Sequence, residues 1–174
     1  MNRIEVKNLA DFTPNDHAAV DELRTHIEFG LPPTTWLPGE LTPWRVLLWE
    51  DDRLISHVGI MERTIDVGGQ PVHVAGIRSV MTRPTHRGKG YASKAMTRAA
   101  EFIAESMPQA EHGLLCCLDI RVPLYSSLGW SVIPDPTVYD QPEGPTVCPV
   151  NIMVKPFRGK PWPRGEVNLK GLPW

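Results

Sequence analysis

The sequence predicts a mixed α/β (α+β) domain, with a mostly antiparallel sheet of about six or seven strands flanked by about four helices. Three observations carry that expectation. Strand-like and helix-like patterns alternate along the chain, three of the strands follow one another as a meander, and a helix with a complete apolar stripe comes directly after them. With 174 residues, 41% of them hydrophobic and 22% charged, the chain can bury one sizeable core. Residues 1–174 are therefore read as a single domain, with 156–174 as an extended C-terminal arm.

The elements follow in order. Residues 3–7, RIEVK, alternate like a short strand. Thr13-Pro14-Asn15-Asp16 then announces a helix, with a threonine cap, proline in the first turn and an acid three residues after the cap. Val20, Leu23 and Ile27 continue it at helical spacing. WRVLLWED is a strand, Asp51-Asp52 a turn, RLISHVGIMERTID a longer strand, VGGQ a hairpin turn and PVHVAGIRSVMT the third member of the meander. Ala92, Ala95, Met96, Ala99, Phe102 and Ile103 form the helical stripe, which Pro108 ends. GLLCCL suits a buried strand whose alternation sends Cys116 and Cys117 to opposite faces. Pro123 opens a short helix through VPLYSSL that Gly129 closes, and Trp130 to Ile133 and TVCPVNIMVK are the last two strands.

Bulk properties narrow the function classes. A net charge of −2 supplies no long-range attraction to nucleic acid. No apolar run approaches the roughly 20 residues that span a bilayer, and MNRIEVKNLADF lacks an apolar signal core. Three cysteines fit a reducing cytoplasm better than a disulfide framework, and no Cys/His spacing suits a metal. The 18 prolines cluster at 32–43, at 134–149 and from Pro156 to Pro173, each cluster an irregular loop or arm. Exposed tryptophans and this tail would suit a homodimer.

Between the meander and the striped helix lies RPTHRGKGYAS. Its glycines and basic residues open straight into a helix, which exposes backbone N–H groups at the positive end of a helix dipole. The ligand expected there is a phosphate. The run Arg87-Gly88-Lys89-Gly90-Tyr91-Ala92 satisfies [RQ]-x-x-G-x-[GA], and it has neither the spacing of a Walker loop nor that of a dinucleotide fingerprint.

VMTRPTHRGKGYA, the helix after it, GLLCCLD and LYSSLGW together resemble the GNAT acetyltransferase superfamily. VLLWEDDRLISHVGIMERTI, LYSSLGW and the terminal GEV…W are similar to aminoglycoside 2'-N-acetyltransferases. The resemblance implies a GNAT-like fold and acetyl-CoA as co-substrate. It assigns coenzyme binding to Val80, Met81, Thr82, Arg87, Gly88, Lys89, Gly90, Tyr91 and Ala92, with no metal. It also assigns Tyr125 the role of general acid toward the departing thiolate, for which a phenol of pKa near 10 is suited; the alternative is a packing tyrosine.

The base is open among Glu28, Asp119 and the carboxylate of Trp174. Asp119 is the preferred side chain, although it could equally cap a helix, and Trp174 is supported by the resemblance alone. Where the 2'-enzymes carry a glutamate this chain has Arg78, which cannot act as a base at neutral pH and would repel a cationic amine. It could pair bidentately with a carboxylate on the acceptor, or simply reach solvent. Trp36, Trp44 and Trp162 are candidates for the acceptor wall. Cys117, His57 and His73 are read as core or sheet residues.

The expected activity is acetyl transfer from acetyl-CoA to a primary amine of a small molecule, with an aminoglycoside-like antibiotic as one acceptor. The substrate-binding set is Glu28, Trp36, Arg78, Asp119 and Trp174. Two rivals remain: a peptide or protein amine as acceptor, and an acyl-CoA sensor without catalysis.

Overall fold

A computed structural model describes residues 2–174. Its spine is the meander: β2 (Trp44–Glu50), β3 (Arg53–Val67) and β4 (Gln70–Thr82), with β1 (Asn2–Asn8) antiparallel to β2. Helix α1 (Pro14–Thr25) precedes β2, and α2 (Tyr91–Ser106) follows β4. Then come β5 (His112–Cys117), α3 (Val122–Ser126), β6 (Ser131–Val132), β7 (Thr137–Tyr139), β8 (Thr146–Val147), β9 (Asn151–Pro156) and β10 (Val167–Asn168). Among the described residues ten strands join one sheet, ordered β6-β9-β5-β4-β3-β10-β7-β8, with β2, and β1 beyond it, beside the first half of β3 on the edge that β10 takes further along.

The mixed α/β class stands, with more strands and fewer helices than expected. TVCPVNIMVK does not form one strand, because Cys148 and Pro149 separate β8 from β9 and proline has no N–H to continue the ladder. Among the described residues the helix count falls to three, because the remaining turns, among them Pro84–His86 and Asp119–Arg121, are short 3-10 segments.

Both faces of the sheet are covered. Val46, Val58, Ile60 and Ile77 pack against Ala95, Met96, Ala99, Phe102 and Ile103 of α2, the stripe expected from the sequence. On the other face, Leu47, Trp49, Leu54 and Met81 meet Val20 and Leu23 of α1. Further along that face the C-terminal arm covers Met61, Ile65 and Val74 with Val167, Leu169 and Trp174. A strand buried on both faces reads as a continuous apolar run, and Leu54 through Met61 of β3 are all buried. Each fully buried aliphatic or aromatic side chain contributes about 1.5–3 kcal/mol.

Helix α1 starts as its sequence dictates. Thr13 and Asp16 form a reciprocal capping box, and Lys7 of β1 pairs with Asp16 at 3.0 Å. Its C-terminal half is bolted to the end of β4: the buried Arg83 donates from Nε and a terminal nitrogen to Leu54 O and forks onto the carboxylate of Glu22. The hydrogen bonds from Arg83, then His26, hold the Glu22 carboxyl down at about 2. In the unfolded chain a glutamate titrates near 4.3. The lowered folded value means this pairing stabilises fully above that pH, and that the contribution is lost as pH falls through about 2. Urea midpoints of the wild type and Glu22→Gln are expected to differ at pH 7 and to converge by pH 2. The difference will be modest, because Glu22 is half exposed and screened by solvent.

Candidate active site

The basic loop forms the bend between β4 and α2. Gly88 and Gly90 adopt φ of +74° and +78°, left-handed conformations that suit glycine. Gly90 is also the cap residue of α2, and no side chain caps the helix, whose first bond runs from Lys94 N to Gly90 O at 3.0 Å. The first-turn N–H groups are thus left for an anion. The loop is braced from β2, where Glu50 accepts from Tyr91 Oη at 3.0 Å and from His86 Nε2 at 3.1 Å. These two bonds, His86 first, lower the Glu50 carboxyl below its usual range. Arg87 is exposed and its Nε reaches Thr82 O at 3.4 Å.

Beside the loop the sheet opens. Parallel pairing between β4 and β5 is limited to Val74, Ala75 and Gly76 against His112, Gly113 and Leu114. From Ile77 onward, β4 keeps β3 on one side and, among the described residues, has no strand on the other. Trp174 fills the fork of this divergence. Its indole lies so close over Gly76 that a Cβ there would stand 2.5 Å from the ring, and its Nε1 donates to Leu114 O at 3.4 Å. Arg63 stacks over the same indole with 4.9 Å from Cζ to the ring centre, and donates to Leu169 O and Leu172 O.

Within the open stretch of β4 a bulge interrupts the ladder. His57 pairs with Met81 and Gly59 with Arg78, so Ser79 and Val80 together face Val58, and Ser79 takes φ of +49°. His57, 1% exposed, donates from Nδ1 to Ser79 O at 2.8 Å. Burial drives its pKa down to about 3, with the charges of Arg45, Arg24 and Arg78 adding to the effect. The ring is neutral, and because a carbonyl only accepts, the proton is on Nδ1. In a planar trans peptide the C=O and N–H point opposite ways, so the N–H of Val80 is turned away from His57.

Loop, open edge and bulge border one cleft of about 800 Å³. At one end its wall is Arg87, Gly88, Gly90, Tyr91 and Ala92; in the middle it is Ser79, Val80, Thr82, Cys116 and Tyr125. Tyr125 is buried in α3, and burial raises its pKa above the usual phenol value. Its hydroxyl has no protein partner among the described residues. Burial pushes the thiols of Cys116 and Cys117 up to about 12 and about 11, so both keep their protons at neutral pH. The two alternate as expected: Cys117 packs into the core beneath α2, while Cys116 lies on the opposite face and donates to Trp174 O at 3.5 Å, and both border the cleft.

The other end of the cleft is walled by Arg24, Glu28, Phe29, Trp36, Arg78 and Trp174. The loop at 30–43 that carries Trp36 is tied down by the other proline-rich segments. The Gln141 side chain bonds both Thr35 N and Thr35 O, at 2.8 and 3.0 Å, and Leu37 N donates to Pro173 O at 2.7 Å.

Most of the residues singled out from the sequence meet in this cleft, and some do not. Asp119 is exposed in the 3-10 turn before α3, accepts from Asn151 Nδ2 at 2.6 Å and is not part of the cleft wall. Met81 turns its side chain under α1, and Lys89 is exposed outside the wall. Trp44 packs on Phe102 and Trp162 on His112, which leaves Trp36 at the cleft. Sequence reasoning passed over Arg24, whose place is set by how α1 packs on the sheet, and over Arg45 and the contact of His57 with the bulge, which depend on cross-strand register.

A family model described as an acetyltransferase (GNAT) domain matches residues 34–133. Among solved structures, Escherichia coli ElaA superposes with a TM-score of 0.66 at 17% identity, covering 89% of this chain and 99% of that one. An acyl-CoA N-acyltransferase from Pseudomonas aeruginosa gives 0.62 at 19% identity, over 89% and 99% of the two chains. A GNAT family acetyltransferase from Brucella melitensis, in complex with acetyl-CoA, gives 0.60 at 15% identity over 95% and 94%. At these identities the likeness is one of fold.

Proposed function

The chain belongs to the GNAT acetyltransferase family, and from that premise we propose that it transfers the acetyl group of acetyl-CoA to a primary amine of a small molecule. The observation that carries this is the joining, in one cleft, of an uncapped helix N-terminus, an unpaired edge of β4 and the phenol of Tyr125. The residues present suit the coenzyme. Main-chain donors of Gly88, Gly90, Tyr91 and Ala92 would hold its diphosphate, with Arg87 adding charge. The free edge at Val80 and Thr82 would pair with its pantetheine amides, as a strand does.

The bulge supplies the electrostatic part. As the amine attacks, charge develops on the thioester oxygen, and the N–H of Val80, fixed by the bond from His57 to Ser79 O, would receive it. Tyr125 would give its proton to the departing sulfur. Glu28, the one carboxylate side chain in the wall among the described residues, and the carboxylate of Trp174 are the candidates to take a proton from the amine, directly or through water. Thiols held protonated by burial favour direct transfer over a covalent acyl-cysteine route. Holding both substrates in one cleft contributes through proximity.

The roof formed by the loop at 30–43 and Gln141 favours a small acceptor over a protein surface. The motif resemblance to aminoglycoside 2'-N-acetyltransferases is the one argument for an aminosugar, with antibiotic modification as its consequence. The arginines at the acceptor end oppose the most cationic members of that class. Calorimetric titration with acetyl-CoA is expected to give saturable binding, and an amine panel assayed for free thiol is expected to reveal turnover. No uptake of acetyl-CoA would overturn the assignment. Uptake without thiol release from any amine would leave a sensor, and release with peptides alone would move the acceptor to a protein.

A further inference from the structure

We propose that the acceptor carries a carboxylate as well as its amine, and that Arg78 and Arg24 hold that carboxylate at the end of the cleft beside the bulge. This rests on the acetyltransferase reading above. Arg45, Gly59 and Arg78 form one row across β2, β3 and β4, on the face that α1 covers. Glycine leaves room there for two cationic chains: a Cβ at residue 59 would stand 3.2 Å from Arg45 Nη1 and 3.1 Å from Arg78 Cγ. Like charges brought across a sheet in this way repel. Arg24, in the last turn of α1, brings a third charge to the same wall, and each of the three acts electrostatically on His57.

None of the three has a carboxylate within ion-pair distance among the described residues. Arg45 is buried and spends its donors on Gly39 O at 2.7 Å and Trp44 O at 3.5 Å. Arg78 binds through Nη1 alone, to Leu37 O at 2.6 Å, with Pro38 O and Thr42 Oγ1 further off. Its Nε and Nη2 have no hydrogen-bond partner among the described residues, and those two nitrogens form the fork that donates side-on to a carboxylate. Thus Arg78 is fixed by the loop at one nitrogen and open to the cleft with the rest. Three acidic groups stand nearby: Glu28 and the carboxylate of Trp174 in the wall, and Glu40, which acts on Arg78 from the loop without reaching it. None of them pairs with Arg78 or Arg24 among the described residues.

Arg78 lines the same cleft as Val80, Cys116 and Tyr125. A carboxylate held by Arg78 would leave the attached amine to extend along that cleft toward the bulge. Ile27, Phe29, Leu31 and Trp36 give the same end an apolar lining. The acceptor class is a small amino acid-like amine with an apolar body.

The test is calorimetry on the protein saturated with acetyl-CoA, using leucine, methionine and phenylalanine, each against its α-carboxamide and its decarboxylated amine. At least one acid is expected to bind about tenfold to a hundredfold tighter than its carboxamide. That preference is expected to vanish in Arg78→Met and to shrink in Arg24→Gln, a variant that removes no hydrogen bond to the loop. Arg78→Lys should recover part of the affinity if Met disturbs the loop. Equal or tighter binding of the carboxamides, no binding of any acid, or an acid preference unchanged in both variants would overturn the proposal. Acetyl-CoA uptake, measured first, separates these outcomes from failure of the acetyltransferase reading itself.

Discussion

Turnover of the Tyr125→Phe variant is expected to fall by about 10²–10⁴, with acetyl-CoA affinity nearly unchanged. The substitution removes one oxygen and keeps the ring that packs beside Cys117 and Trp130 in the core under α2. No protein hydrogen bond is lost, since the hydroxyl has no partner among the described residues, so the fold should tolerate it. What disappears is the proton for the departing sulfur. Burial raises the Tyr125 pKa, which keeps the phenol protonated throughout the neutral range. The pH–rate profile should therefore show no alkaline loss attributable to this residue below about pH 10, the ordinary phenol value. Steady-state kinetics with a calorimetric binding control checks both statements, and unchanged turnover would remove Tyr125 from the mechanism.

The second large effect is expected at His57, which touches neither substrate. In His57→Phe the ring volume is roughly kept and the donor to Ser79 O is gone, so the Val80 N–H loses its aim. Loss of one oxyanion donor typically costs about 10²–10³ in kcat, and a donor that is loosened rather than deleted should fall at or below the low end of that range. A purely packing role would not alter the carbonyl stretch of bound acetyl-CoA. A positioning role predicts that its shift toward lower frequency, present in the wild type, is diminished in His57→Phe. An unaltered stretch with normal kcat would sink this part of the mechanism.

The same substitution bears on acid stability. His57 is neutral in the fold down to about pH 3, whereas an unfolded histidine takes its proton near 6.5. The unfolded state then binds more protons, so the wild type should lose stability as pH falls from about 6.5 toward 3. His57→Phe should show a shallower decline, read from denaturation midpoints across that range.

Much of this architecture was legible because strong local signals agreed with it. The capping box at Thr13, the turn at Gly68-Gly69 and the stripe of α2 are each decided within a few residues. Short strands such as β7 and β10 were missed because two or three residues carry no periodicity, and their pairing is set by the arm that lies across β3. The site divides the same way. Glycines at 88 and 90 and the tyrosine of LYSSLGW announce themselves locally. The Arg45–Gly59–Arg78 row and the bond from His57 to Ser79 exist only through register across three strands. The proline clusters were readable as loops, but not the convergence of all three over one end of the cleft, because proline marks where a ladder stops and not where the chain goes next.

Trp174 has a consequence for the size of amine the protein can admit. The gap between β4 and β5 begins where its indole sits on Gly76, so the breadth of the cleft at its acceptor end depends on a tail residue more than on the strands beside it. A smaller side chain at 174 would let the two strands approach, and a side chain at 76 would drive the ring out. Tolerance for bulkier amines should then be adjustable from the arm.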